Sequence, residues 1–149
     1  MLTAADSSVL LDVFISDPEH ADASERALHQ AIKDGGLILC ECVLAEITPA
    51  LPRDQVKVWL DEWNISCIPS TEEVALLAGE MFRKYLERGG KRGRVAADFM
   101  IGAHASVHAD RLLARDRGFF RDYFKSLKIW TPEIGNTVDD IRQGRDRNA

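Results

Sequence analysis

Five short apolar segments, at residues 2–5, 37–40, 65–68, 112–114 and 128–130, alternate with longer stretches whose apolar residues recur every three or four positions. That alternation constrains the fold more than any other feature of the chain. The short segments read as strands and the amphipathic stretches as helices. Helices are predicted over 7–15, from Pro18 to the Gly35-Gly36 stop, and over 43–50, 53–63, 71–88, 96–108 and 118–124. Thr71 caps the fifth, with Glu72 and Glu73 in the first turn, where the helix dipole favours negative charge. Strands separated by helices pair in parallel, because parallel neighbours need a crossover long enough to hold a helix. The expectation is an α/β, three-layer fold: a short parallel sheet with helices on both faces. In such a fold the residue after each strand and the first turn of each helix share the carboxyl edge of the sheet, where ligands bind.

At 149 residues the chain is sized for one domain, expected over 1–132. The remainder, 133–149, is charged, poor in apolar residues and expected to be loosely held. No apolar run approaches the roughly 18 residues of a membrane span. The N-terminus lacks the basic and apolar blocks of a signal peptide, so a cytoplasmic address is expected. Three cysteines, Cys40, Cys42 and Cys67, do not make a disulfide framework. Cys40-Glu41-Cys42 reads as small residues packed beside a strand, since no Cys/His spacing completes a zinc site.

The net charge of −5 argues against a protein that coats nucleic acid through phosphate neutralisation alone. It does not exclude a nuclease, whose catalytic carboxylates lower the total. Residues 1–80 carry 4 basic and 15 acidic side chains, and residues 81–149 carry 15 and 9. The split points either to two faces with different partners or to solvated helix surfaces.

Four carboxylates fall at the predicted carboxyl edge. Asp6 follows the first strand, and Glu46 lies in the first turn of the helix over 43–50. Asp98 opens the helix over 96–108, and Asp116 follows the fourth strand. Clustered carboxylates repel, and a divalent cation relieves the repulsion. An all-oxygen donor set suits Mg²⁺ or Mn²⁺, which can activate water and stabilise the leaving oxygen of a phosphodiester. The same residues also have structural readings: Asp98 and Glu46 at helix N-termini, Asp6 as an N-cap and Asp116 in a turn. Other candidates point to packing. His104 lies roughly 120° around its helix from Asp98, and His108 about 15 Å along the axis. Trp59 and Trp63 sit at core spacing, and the loop over 89–93 lacks the Lys-Ser/Thr ending of a phosphate loop. A receiver-like fold would need a phosphoacceptor Asp after the third strand, where Pro69 stands.

Ala5-Asp6-Ser7-Ser8, Val43-Leu44-Ala45-Glu46-Ile47, the segment from Ala97-Asp98 to His104-Ala105, and Leu113-Ala114-Arg115-Asp116-Arg117-Gly118 together resemble the ordered motifs of PIN-domain nucleases. In length the chain is similar to the VapC-type ribonuclease toxins of toxin–antitoxin pairs. The resemblance implies a Mg²⁺- or Mn²⁺-dependent endoribonuclease, with Asp6, Glu46, Asp98 and Asp116 holding metal and Ser8 as an auxiliary polar group. It also implies a homodimer and a small antitoxin that covers the site. Ala114 stands where the family often has Thr, and Gly118 where many members have a further acid. The alternative is a non-catalytic PIN-like scaffold, which the presence of all four acids disfavours. An acidic rim needs a separate basic surface to hold RNA, and Lys91, Arg92 and Arg94 in the glycine-rich loop are the expected grip.

Overall fold

The computed structural model describes residues 1–92, 95–116 and 118–133. Its centre is a five-stranded parallel sheet in the order β3-β2-β1-β4-β5. The strands are β1 (Thr3–Ala5), β2 (Leu37–Leu39), β3 (Ile65–Cys67), β4 (Arg111–Leu113) and β5 (Lys128–Trp130). The registers Thr3↔Leu37, Thr3↔Arg111, Leu37↔Ile65 and Arg111↔Lys128 align all five. The chain builds outward from β1 to β3, then returns to place β4 on the other side of β1. That reversal puts the topological switch between β1 and β4.

Helices α1 (Ser7–Phe14), α2 (Ala21–Asp34), α3 (Glu41–Ile47), α4 (Arg53–Glu62), α5 (Glu72–Glu87), α6 (Val95–His108) and α7 (Phe119–Tyr123) form the outer layers. β1, β2 and β4 are buried throughout, as strands covered on both faces must be. Val9, Leu10, Leu28, Val43, Ile47, Phe99 and Ile101 join them in the core.

The expected three-layer α/β fold is the one observed; most element ends shift by a residue or so, the helix expected over 43–50 finishes as a 3-10 turn over Thr48–Ala50, and three differences are larger or bear on the site. First, α2 starts at Ala21 rather than at Pro18. The Asp17 carboxylate accepts the N–H groups of Glu19 (3.0 Å) and His20 (2.9 Å), which holds 17–20 as a turn. Second, α3 begins immediately after β2, at Glu41, so Glu46 lies in its last turn and not in its first. Third, β4 takes in Arg111. This buried charge is tolerated because its guanidinium reaches Asp34 (2.6 Å) and Thr3 Oγ1 (2.8 Å) and lies over the Trp130 ring. Gly35 is needed where α2 ends: φ is 154° and a Cβ there would collide with the Met1 backbone.

Candidate active site

Asp6 closes β1 and caps α1. Its Oδ2 accepts the Ser8 hydroxyl at 2.6 Å and the Ser8 N–H at 3.4 Å. Its own N–H donates to Leu113 O of β4 at 2.9 Å, which fixes it at the switch point. Burial pushes its carboxyl above the usual range, against the lowering pull of Ser8, and Asp116 pushes the same way. Asp98, in the first turn of α6, is raised from 3.8 to about 6, chiefly by burial and then by Asp6. Glu46 is exposed at its tip, yet partial desolvation raises it, followed by the charges of Asp6 and Asp98; Ser7 pulls the other way. Asp116 is already committed to backbone donors. Its oxygens accept the N–H groups of Gly118 (3.1 Å), Phe120 (3.2 Å) and Arg121 (3.3 Å), so it caps α7 while its charge bears on Asp6.

The fold therefore brings the four acids to one edge, with Asp6 as the hub whose charge couples to each of the others. They form an open rim and not a closed cage. Among the described residues, the group of three ligand atoms within 4.8 Å of one another is Cys40, Glu41 and Cys42. Those residues serve the fold. Burial pushes the Cys40 thiol up to about 12, so it stays protonated and donates to Glu41, which in turn accepts Ser70 N–H at 2.9 Å. The rim offers the opposite chemistry: carboxylate oxygens, of which those of Asp6, Glu46 and Asp98 are ionised only at a cost, the donor type that suits a hard cation.

His104 is fully buried and donates from Nε2 to Ile68 O at 2.6 Å, a packing role. Trp59 and Trp63 stack on each other at 4.8 Å and pack partly buried against the core. Lys91 and Arg92 are exposed, as a grip for substrate requires, and Arg94 lies outside the described residues.

A network behind the rim was not anticipated. Buried Asp12 accepts Arg115 Nη2 at 2.7 Å and the Ser24 hydroxyl at 2.7 Å. The Arg115 N–H donates to Ser8 Oγ at 3.3 Å, and the Ser8 hydroxyl in turn donates a hydrogen bond to Asp6 Oδ2 at 2.6 Å. The residue preceding Asp116 is thus tied to the residue that orients Asp6. A lone acid in the apolar run over 7–15 was the available signal. Arg115→Ala should cost about 2 kcal/mol in urea denaturation. That is below the ~3–5 kcal/mol of a fully buried pair, because the Arg115 side chain is 35% exposed. A loss under a few tenths would remove the network from the fold's supports.

The profile of the PIN domain matches residues 4–125, most of the chain, including all four acids. The chain belongs to the PIN domain family. No curated protein matches it. Among solved structures, a chain of VapBC2 from Rickettsia felis, bound to a DNA fragment from its promoter, superposes with a TM-score of 0.69 at 17% identity, covering 89% of this chain and all of that one. VapBC-1 from nontypeable Haemophilus influenzae gives 0.64 at 14%, covering 88% and 98%. FitAcB from Neisseria gonorrhoeae gives 0.61 at 21%, covering 87% and 97%. At these identities the likeness establishes a shared PIN fold.

Proposed function

We propose that this PIN domain chain is a divalent-metal-dependent endoribonuclease and the toxin of a toxin–antitoxin pair. The observation that carries the reading is the mutual electrostatic penalty on Asp6, Glu46 and Asp98, which burial and like charge leave easier to protonate than ordinary carboxyls. Asp6, Glu46, Asp98 and Asp116 would hold Mg²⁺ or Mn²⁺. When bound, such an ion supplies an activated water and charge stabilisation for the departing oxygen. The protein's own part is positional. Ser8 holds Asp6 through its Oδ2, and Asp116 is held in place by the N–H groups of Gly118, Phe120 and Arg121. Lys91, Arg92 and Arg94 would grip RNA phosphates beside α6.

The likeness to VapBC and FitAcB supports a small antitoxin as the partner of this chain. Exposed Leu76 on α5 and Val58 on α4 supply apolar surface for it and for a homodimer. The nuclease unit is assigned to 1–132 and the charged tail to 133–149, of which 134–149 lie outside the described residues. Among the described residues no helix is long and apolar enough to cross a membrane.

Purified protein should cleave single-stranded RNA in Mg²⁺ or Mn²⁺, stop on addition of EDTA and resume when Mn²⁺ is restored. Cleavage that persists in EDTA after metal stripping overturns the reading.

A further inference from the structure

A cavity of about 330 Å³ opens between α5, α6 and α7, away from the acid rim. Lys84 of α5, Arg88 at its C-cap, Ser106 of α6, Asp122 and Tyr123 of α7, and Lys125 just beyond it line the opening. Three cations thus face one carboxylate. Among the described residues none of the three cations lies within ion-pair distance of an acid, whereas Arg111 and Arg115 are paired with Asp34 and Asp12. Lys84 and Arg88 stand at i, i+4 on one helix face, an arrangement that repels itself until an anion arrives. Lys125 joins them through a tight turn, in which Leu127 N–H donates to Phe124 O at 3.0 Å. The Arg88 guanidinium lies 5.1 Å over the Tyr123 ring, which orients the fork while leaving its N–H groups free to donate in its plane. Ser106 Oγ already donates to Gly102 O at 2.8 Å, so the cavity's attraction is charge and not hydroxyl donation.

Position ties this cavity to the rim. The first turn of α7 is held by Asp116, and its last residue, Tyr123, forms the cavity wall. With five residues, α7 spans about 7 Å, and Asp98 to Ser106 spans about 12 Å along α6. A few nucleotides cover that distance. The volume lies at the small end of ligand cavities, roughly 300–1,000 Å³, and accommodates a nucleotide.

We propose that this cavity is a second phosphate subsite, holding a backbone phosphate of the single-stranded RNA a few nucleotides from the one cleaved at the rim. The proposal rests on the nuclease reading above and extends it, because Lys125 is remote in sequence from the 91–94 loop and is brought to α5 only by the fold. Arg88 forks onto the phosphate oxygens, and Lys84 and Lys125 neutralise it from either side.

The test is binding of a single-stranded oligoribonucleotide to the Asp98→Asn protein, followed by fluorescence anisotropy across a salt series. Lys84→Ala with Lys125→Ala should weaken binding and lower the salt slope by about 0.7, the contribution of the one single-strand phosphate that the subsite neutralises. Arg53→Glu with Lys57→Glu on α4 should leave the slope unchanged, and all of these side chains are exposed, so melting temperatures should stay level. An unchanged slope in the Lys84/Lys125 variant, while the unmutated chain cleaves RNA in Mn²⁺, removes the subsite and leaves the nuclease reading standing. An equal fall in the α4 variant makes the binding non-local and also removes the subsite. No cleavage and no RNA binding by any form removes both.

Discussion

Asp98→Asn should abolish RNA cleavage and raise the thermal stability of the metal-free protein by about 3 °C. The two effects have one origin. Asp98 titrates at about 6 in place of 3.8 because burial, and then Asp6, oppose its ionisation. A shift of that size corresponds to about 3 kcal/mol in the fully buried limit. Asp98 is only partly buried, and solvent screening reduces this to about 1 kcal/mol. For a chain of this length that is worth about 3 °C. The sign follows from proton linkage. Between pH 3.8 and about 6 the folded state binds more protons than the unfolded one, so this group's contribution to stability falls as pH rises through that window. Below it the carboxyl is protonated in both states and the variant gains nothing. Above it the full penalty applies, and the variant's advantage reaches its plateau. Neighbouring acids titrate nearby, so the informative quantity is the difference between the two proteins' melting temperatures at each pH.

Mn²⁺ should reverse the order. A cation that binds the folded rim stabilises by mass action, and the unmutated protein, with its full set of carboxylates, gains more. Melting temperatures measured with and without Mn²⁺ therefore report on the rim independently of activity. A variant that still cleaves, or that melts lower than the unmutated protein at pH 7 without metal, would sink the assignment of Asp98 to the site.

What the sequence disclosed was whatever local pattern can encode. Among the described residues, apolar runs and their spacing located each strand and α-helix, because each element advertises its own buried face. The four acids were legible for the same reason: topology alone sends the residue after β1 and the first turn of α6 to one edge. Glu46 was misplaced along its helix because Cys40-Glu41-Cys42 does not resemble a helix start, yet α3 begins there to let Glu41 accept Ser70 N–H. Asp116 had two competing readings, turn former and site acid, and its geometry supports a turn role without withdrawing its charge from the rim. The pairing of Asp12 with Arg115 and the meeting of Lys125 with Lys84 were beyond sequence reading. Each joins residues far apart in the chain, and only folded geometry specifies the partner.

The largest expected loss of stability comes from Phe99→Ala, at about 4 kcal/mol. Phe99 is 1% exposed, and its ring meets Phe119 at 5.0 Å, Tyr123 at 5.3 Å, Phe82 at 5.4 Å and Tyr85 at 5.6 Å. With Tyr85 and Tyr123, which also meet each other at 6.1 Å, it joins α5, α6 and α7. Truncation of a buried Phe costs about 3–5 kcal/mol through lost transfer energy and the cavity left behind, and tilted aromatic contacts add to it. The surroundings resist collapse: Gly102, one turn along α6, already lies against Phe124 so closely that a Cβ there would clash with the ring. Against a total stability of roughly 5–15 kcal/mol the variant stays folded with a narrow margin. Phe99→Leu, which keeps most of the volume, should recover more than half of the loss. Urea denaturation with a constant slope measures both, and a loss under about 1 kcal/mol for the alanine variant would show that the aromatic cluster does not anchor α6. The consequence reaches the rim. Asp98 is the neighbour of Phe99, and α7 carries the N–H groups that hold Asp116. Mn²⁺ stabilisation should therefore fall in Phe99→Ala even though no carboxylate has been altered, and should return in Phe99→Leu.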